Sequence, residues 1–323
     1  MLGSFWDSVG GKLADRWFAL SSQALVFWAG GLLAWAAAHG GVPGLEAPGH
    51  RLASYSGPGQ VAVLVGALLL IGASAIVVQR LSRPVLRLLE GYWPPPLEPL
   101  RDRLIGQSAR RADTQRAEIR KLAEPVHDGT ATRRERERYV RLDERLRRMP
   151  TTDRLLPTSI GNTLRAAESR PADKYGLDAV SLWPHMWLLM PDAARQELTA
   201  ARAALDASVT AAVWGLLFLV FIPWSPWAAA VGLGVAAVTV LVWVPARAVT
   251  FAALVEAAFD LYRQDLYAQL RWPLPASPYD ERREGRRVTT YLLRGSDART
   301  PTFTPLPSAG PPLPGPAAEA GDG

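Results

Sequence analysis

Cysteine is absent from the 323-residue chain, which excludes disulfides, thiolate metal sites and a cysteine nucleophile and leaves the redox compartment open. Lysine is nearly as scarce. Of 36 basic residues only Lys12, Lys121 and Lys174 are lysine, the rest being arginine, and with abundant Ala and Pro this is a usage typical of a GC-rich bacterial genome. The four histidines, His39, His50, His127 and His185, are scattered without ligand-like spacing. Sequence signatures of phosphate-binding loops, hydrolase nucleophile elbows and zinc proteases do not occur. No catalytic, cofactor-binding or metal-binding residue is therefore assigned, and the chain is not read as an enzyme.

Charge is missing wherever apolar residues concentrate. The clearest case is 207 to 246, two apolar runs separated only by Pro223-Trp224-Ser225-Pro226, which predicts a membrane-crossing helical hairpin with spans 207–224 and 227–246. A second hairpin is predicted near the N-terminus. Trp17 to Ala38 carries no ionisable side chain, and about 20 helical residues cross a hydrocarbon core of about 30 Å. Its partner is 60–78, ended by Gln79-Arg80, Arg83 and Arg87. Six Gly and three Pro between His39 and Gly59 predict a loop. Residues 1–16 read as an amphipathic lead-in with Phe5, Trp6, Val9 and Leu13 at helical spacing, not a cleaved secretory signal.

The one large polar region, 80–206, has 24 Lys and Arg against 18 Asp and Glu, so it carries the whole formal excess of +6. It predicts two charged helices, 97–122 and 132–149, broken at Glu124-Pro125 to Gly129. Thr132 and Glu135 form a capping box at the start of the second. Eight arginines between Arg133 and Arg148 interleave with Glu135, Glu137, Asp143 and Glu144. Self-pairing at Glu137–Arg141 and Glu144–Arg148 then favours a solvated helix, with anionic lipid rather than nucleic acid as partner. Val180 to Met190 is too short to span and too apolar for a solvated loop, so it is expected in the membrane interface or against the bundle. Small residues Ala228 with Gly232 and Ala230 with Gly234 suit close helix approach.

After Arg247 the stripe Phe251, Leu254, Val255, Ala258, Tyr262, Leu266 and Leu270 predicts an amphipathic helix ended by Trp272-Pro273, with Glu256, Asp260 and Arg263 on the opposite side. A short strand is predicted at Val288–Leu293. Beyond Thr300 seven prolines predict a disordered tail with polyproline II bias. Lys and Arg are depleted in loop 39–59 and turn 223–226, which places both termini and the polar region in the cytoplasm of an inner-membrane protein. Trp17, Trp243 and Trp272 then belong to the inner aromatic belt and Trp35, Trp224 and Trp227 to the outer.

The motif Pro157-Thr158, Gly161-Asn162, Leu164-Arg165-Ala166-Ala167-Glu168, followed by Tyr175-Gly176, Asp178 and Trp183-Pro184, resembles that of a group of uncharacterised actinobacterial membrane proteins. Leu89-Glu90-Gly91-Tyr92-Trp93-Pro94 and Phe259-Asp260-Leu261-Tyr262-Arg263 extend the resemblance over most of the chain except the tail. It implies no activity. Asn162, Arg165, Glu168, Tyr175 and Asp178 are the candidate ligand or interaction turn. The plainer account, that Asn162 and Asp178 accept backbone hydrogen bonds and Arg165 pairs with Glu168, is favoured.

The sequence therefore predicts an all-α integral membrane protein, four transmembrane helices in two hairpins with a cytoplasmic helical domain between them. Its segments are 1–79, 80–206, 207–246, 247–299 and 300–323. The expected role is a non-catalytic membrane anchor or assembly component without cofactor. Partners compatible with it are the lipid bilayer, anionic lipid, a membrane or cytoplasmic protein and a second copy of the chain. The rival is a subunit of an oligomeric channel or transporter, although the spans offer little polar lining beyond a few Ser, Thr and Gln near their ends.

Overall fold

A computed structural model describes residues 22–305. Among the described residues every regular element is helical: α1 (Ser22–Ala38), α2 (Glu46–Ser54), α3 (Gly57–Glu90), α4 (Glu98–His127), α5 (Arg133–Arg147), α6 (Ser159–Tyr175), α7 (Ala179–Leu189), α8 (Asp192–Leu217), α9 (Trp227–Val238), α10 (Val244–Gln269) and α11 (Pro278–Arg294). The N-terminal lead-in, the first residues of span 17–38 with Trp17, and the tail beyond 305 lie outside the described residues.

Among the described residues three helical stretches are long and apolar enough to cross a membrane: Gly57–His127, whose apolar part belongs to α3, then Asp192–Phe221 and Trp227–Gln269. The described part of the fourth expected span, α1, is shorter. Helices do not stop where the sequence turns polar. α3 runs 34 residues, about 51 Å at 1.5 Å per residue, past Gln79-Arg80 and through Pro84 to a left-handed cap at Gly91, φ 100°. Nor does Pro245 end the second hairpin. A π turn, Thr239–Trp243, joins α9 to α10, a local widening of the kind that accommodates a proline lacking its N–H.

By its contacts the chain forms two compact units, Met1–Glu168 with Ala193–Val255 and Ser169–Asp192 with Glu256–Gly323. These boundaries fall inside α6 and α10 and differ from the segments drawn by composition. In the first unit, Ala24 and Phe27 of α1, Ala75 and Val78 of α3, Val213 and Trp214 of α8 and Ala228 of α9 close one apolar cluster. The Phe27 ring lies 4.7 Å from Trp214 and 5.0 Å from Phe221, centroid to centroid. The small-residue expectation holds for one stripe and not the other. A Cβ on Gly232 would come within 2.6 Å of the Gly215 carbonyl oxygen, whereas one on Gly234 would meet nothing. A second cluster, Leu86, Ile160, Leu164, Leu205, Val209, Val244 and Ala248, joins α3, α6, α8 and α10 below the first.

α4 and α5 pack together through Leu142 and the Arg138–Glu118 ion pair. The capping box is formed: the Glu135 amide donates to Thr132 Oγ1 at 3.3 Å and the Thr132 amide to Glu135 Oε2 at 2.7 Å. The helical pairs along α5 differ from those expected, being Arg133–Glu137 and Asp143–Arg147, both at 2.9 Å. Three other expectations are corrected. Residues 46–54 of the supposed loop form α2, since Pro48 falls in its first turn, where a missing N–H costs no helical hydrogen bond. The predicted strand at Val288–Leu293 lies within α11, where Val288 is buried and Tyr291 and Leu292 follow at helical spacing on the same core. Trp272 is 6% exposed inside the second unit and packs on Tyr291 and Phe303, so it is not available to an aromatic belt.

The second unit is built on Leu177, Leu182, Met186, Phe259, Leu266, Tyr267, Trp272 and Val288. One face of α7 thus packs against α10 and α11. The buried Tyr267 hydroxyl has no partner among the described residues, and burial pushes its pKa far up.

Candidate functional site

Local chain chemistry sets the turn before α6. Thr158 Oγ1 accepts from the Gly161 amide at 3.0 Å, closing the first turn. Asn162, 3% exposed, reaches back to Leu156, accepting its N–H at 2.7 Å and donating to its carbonyl at 3.0 Å. Both polar groups of the Asn162 amide are therefore spent on one backbone residue. Asn162→Ala would leave the Leu156 N–H and C=O without partners and should cost about 2 kcal/mol, read as a lower melting temperature in detergent. An unchanged melting temperature would contradict this clip.

One turn further along α6, Arg165 Nη1 lies 3.4 Å from Glu168 Oε2, the pair expected from spacing. Its Nε is buried without a partner among the described residues. These side chains line a small cavity of about 60 Å³ together with Glu90, Arg202 and Phe251. Arg202 lies 5.6 Å over the Phe251 ring and 3.2 Å from Asp206. Glu90, beyond the apolar stretch of α3, titrates above the ordinary carboxylate range. Burial is the main cause, opposed by Arg202 and Arg87 and reinforced by Glu168 and Asp206. Glu90 and Arg202 were not named as site residues from the sequence, since Glu90 lies 75 residues before Arg165 and Arg202 lies 37 residues after it, each on another helix.

The raised pKa fixes a sign. The fold favours protonated Glu90, so its contribution is complete below the ordinary carboxylate range and is lost as pH rises through the raised value. Glu90→Gln should flatten that loss and hold or raise stability at neutral pH. Melting temperature against pH checks it; a Gln variant less stable at neutral pH would show that the ionised carboxylate is needed.

Tyr175 and Asp178 belong to the second unit, so the five candidate residues do not form one described site. Tyr175 donates to Asp260 Oδ1 at 2.7 Å, and its ring lies 4.3 Å beneath the Arg263 guanidinium. Burial, then the bond to Asp260, raises its pKa. Lys174 sits 2.7 Å from Glu256 and 3.3 Å from Asp260, Arg170 is 2.8 Å from Glu256, and Arg263 is 2.6 Å from Glu281. Burial works against the charge of Lys174, but the bonds and charge of Glu256 and Asp260 outweigh it. The acidic residues expected opposite the α10 stripe, Glu256 and Asp260, are thus ion-pair partners of α6. Asp178 departs from expectation: its carboxylate accepts from the Ser181 hydroxyl and makes no side-chain cap to the α7 backbone, while its own amide donates to Thr289 Oγ1 at 3.2 Å.

Among the described residues no cluster of three His, Cys, Asp or Glu could hold a metal ion, and His185 stands exposed on α7. No protein-family model, curated protein or solved structure matches the chain. What the second unit does present is an apolar surface. Opposite its buried face, α7 turns outward Val180, Pro184, Leu188 and the edges of Trp183 and Trp187, whose rings are 6.2 Å apart. Leu188 is 76% exposed. The length and apolarity of 180–190 marked this segment in the sequence; which face would be sealed was not readable from it.

Proposed function

We propose that the chain is an inner-membrane protein of four spans, with both termini in the cytoplasm, that acts as a non-catalytic anchor or assembly component. Its second unit offers the outward face of α7 to a protein partner. The observation that carries this reading is that exposed face. A helix without a single Asp, Glu, Lys or Arg buries Leu182 and Met186 and still leaves Val180 and Leu188 uncovered, and an exposed aromatic and aliphatic cluster is the composition of interface cores. The apolar side chains on the outside of the long helices, such as Leu69 at 67% and Leu241 at 74% exposure, support residence in a bilayer.

A photoreactive residue in place of Leu188 tests the partner in native membranes. A discrete adduct with another polypeptide is expected there and not at the control position Tyr279, which is 92% exposed in the same unit. Equal labelling at both positions would remove the interaction surface. Ion flux through reconstituted liposomes would favour the channel subunit instead.

A further inference from the structure

The first unit holds a second, larger cavity at the point where α3 and α8 turn from apolar to charged. It measures about 570 Å³ and is lined by Gln23, Gln79, Arg80, Arg83, Thr210 and Trp214, among others. Asp206 on its wall is already paired with Arg202. The side chains of Arg80 and Arg83 form no ion pair or hydrogen bond with another described residue. Gln23 donates to the Ala207 carbonyl at 3.3 Å, and its buried Oε1 has no partner among the described residues. Among the described residues the cavity therefore presents two cations without an ion-pair partner.

Gln23 and Trp214 also line a neighbouring groove of about 420 Å³, whose other walls are apolar apart from Ser22 and include Phe27, Gly30, Phe218 and Val235. It leads along the apolar stretches of α1, α8 and α9. A polar, cationic chamber sharing a wall with an apolar groove matches one kind of molecule, an amphiphile with an anionic head and an acyl chain. We propose that the two cavities together form a site for one anionic phospholipid, its phosphate against Arg80 and Arg83 and one acyl chain in the groove. Arginine suits this role because its planar fork binds phosphate oxygens two at a time, and cations at the inner leaflet are where anionic lipid concentrates. The assignment rests on the membrane-spanning reading above.

Native mass spectrometry of the full chain, released from detergent containing equal phosphatidylglycerol and phosphatidylcholine, reads the site directly. One phosphatidylglycerol should be retained in preference to phosphatidylcholine. Arg80→Gln with Arg83→Gln should lower that retention about tenfold or more, and Val231→Trp, which fills the groove from its exposed rim, should lower it with both arginines intact. Equal retention of the two lipids, or undiminished retention in both variants, overturns the proposal. Displacement by glycerol phosphate as effective as by the whole lipid also overturns it, by making the site one for free anions. Carbonate extraction of the membranes separates failure of the site from failure of the spanning reading: a chain that leaves the pellet is not an integral membrane protein, whatever it binds.

Discussion

Gly161→Ala should be among the most damaging single changes in the first unit, with loss of folded protein or a stability cost of about 3 kcal/mol or more. A Cβ at this position would lie 1.9 Å from the Glu90 carbonyl oxygen and 2.8 Å from its carbon. That neighbour is backbone at the last residue of α3, held by the cap at Gly91, so no side-chain rotation can relieve the overlap. Either the start of α6 or the end of α3 must move by more than an ångström. The same displacement would break the second apolar cluster, in which Leu86 meets Ile160 and Leu164. Gly234→Ala is the contrast. It sits in a helix with nothing near its missing Cβ, and should be neutral or stabilising by up to about 1 kcal/mol. Melting temperatures of both variants decide the point; near-equal values would mean that α3 and α6 do not approach as described.

The second unit has its own contact of this kind. Gly285→Ala would place a Cβ 1.8 Å from the Tyr175 carbonyl oxygen, at the site where α11 lies against the end of α6. The backbone there is doubly committed, since Gly176 has φ 75° and its carbonyl accepts from Thr289 Oγ1 at 3.1 Å. A cost of about 3 kcal/mol or more is expected. Because Tyr175, Lys174 and Arg263 share the adjacent ion network, separation of α11 should also increase amide exchange across α10 from Glu256 to Gln269. Protection unchanged in that stretch, with the variant folded, would show that α11 is dispensable to the unit.

Features written in adjacent residues were legible in the sequence. The capping box at Thr132 and Glu135 needs only four residues, and the turn between two apolar helices at Pro223-Trp224-Ser225-Pro226 only four more. The Arg165–Glu168 pair follows from spacing along one turn, whereas Asn162 was expected as a backbone acceptor without its partner Leu156, six residues back, being named. The charged partners of α6 were not legible: Arg170 and Glu256 are 86 residues apart, so the acidic residues of α10 read only as the polar side of an amphipathic helix. Composition also located the end of the apolar stretch rather than the end of the helix. A change from apolar to charged residues at Val78 to Arg80 marks where a bilayer would end, but nothing there stops helical hydrogen bonding, and α3 continues to Glu90. In α11 the β-branched and aromatic run from Val288 suggested a strand, while tertiary packing on Met186, Phe259 and Trp272 selected the helical period.

The central claim, an arginine-rich side facing the cytoplasm and the loop before α3 facing out, is tested most directly by single-cysteine labelling. Because the native chain has no cysteine, Gly57→Cys and Thr130→Cys each provide one exposed thiol on an unlabelled background. In intact cells a membrane-impermeant maleimide should modify Gly57→Cys and spare Thr130→Cys until the membrane is permeabilised. Labelling of Thr130→Cys in intact cells, with Gly57→Cys protected, would contradict the orientation and with it the cytoplasmic assignment of the polar region.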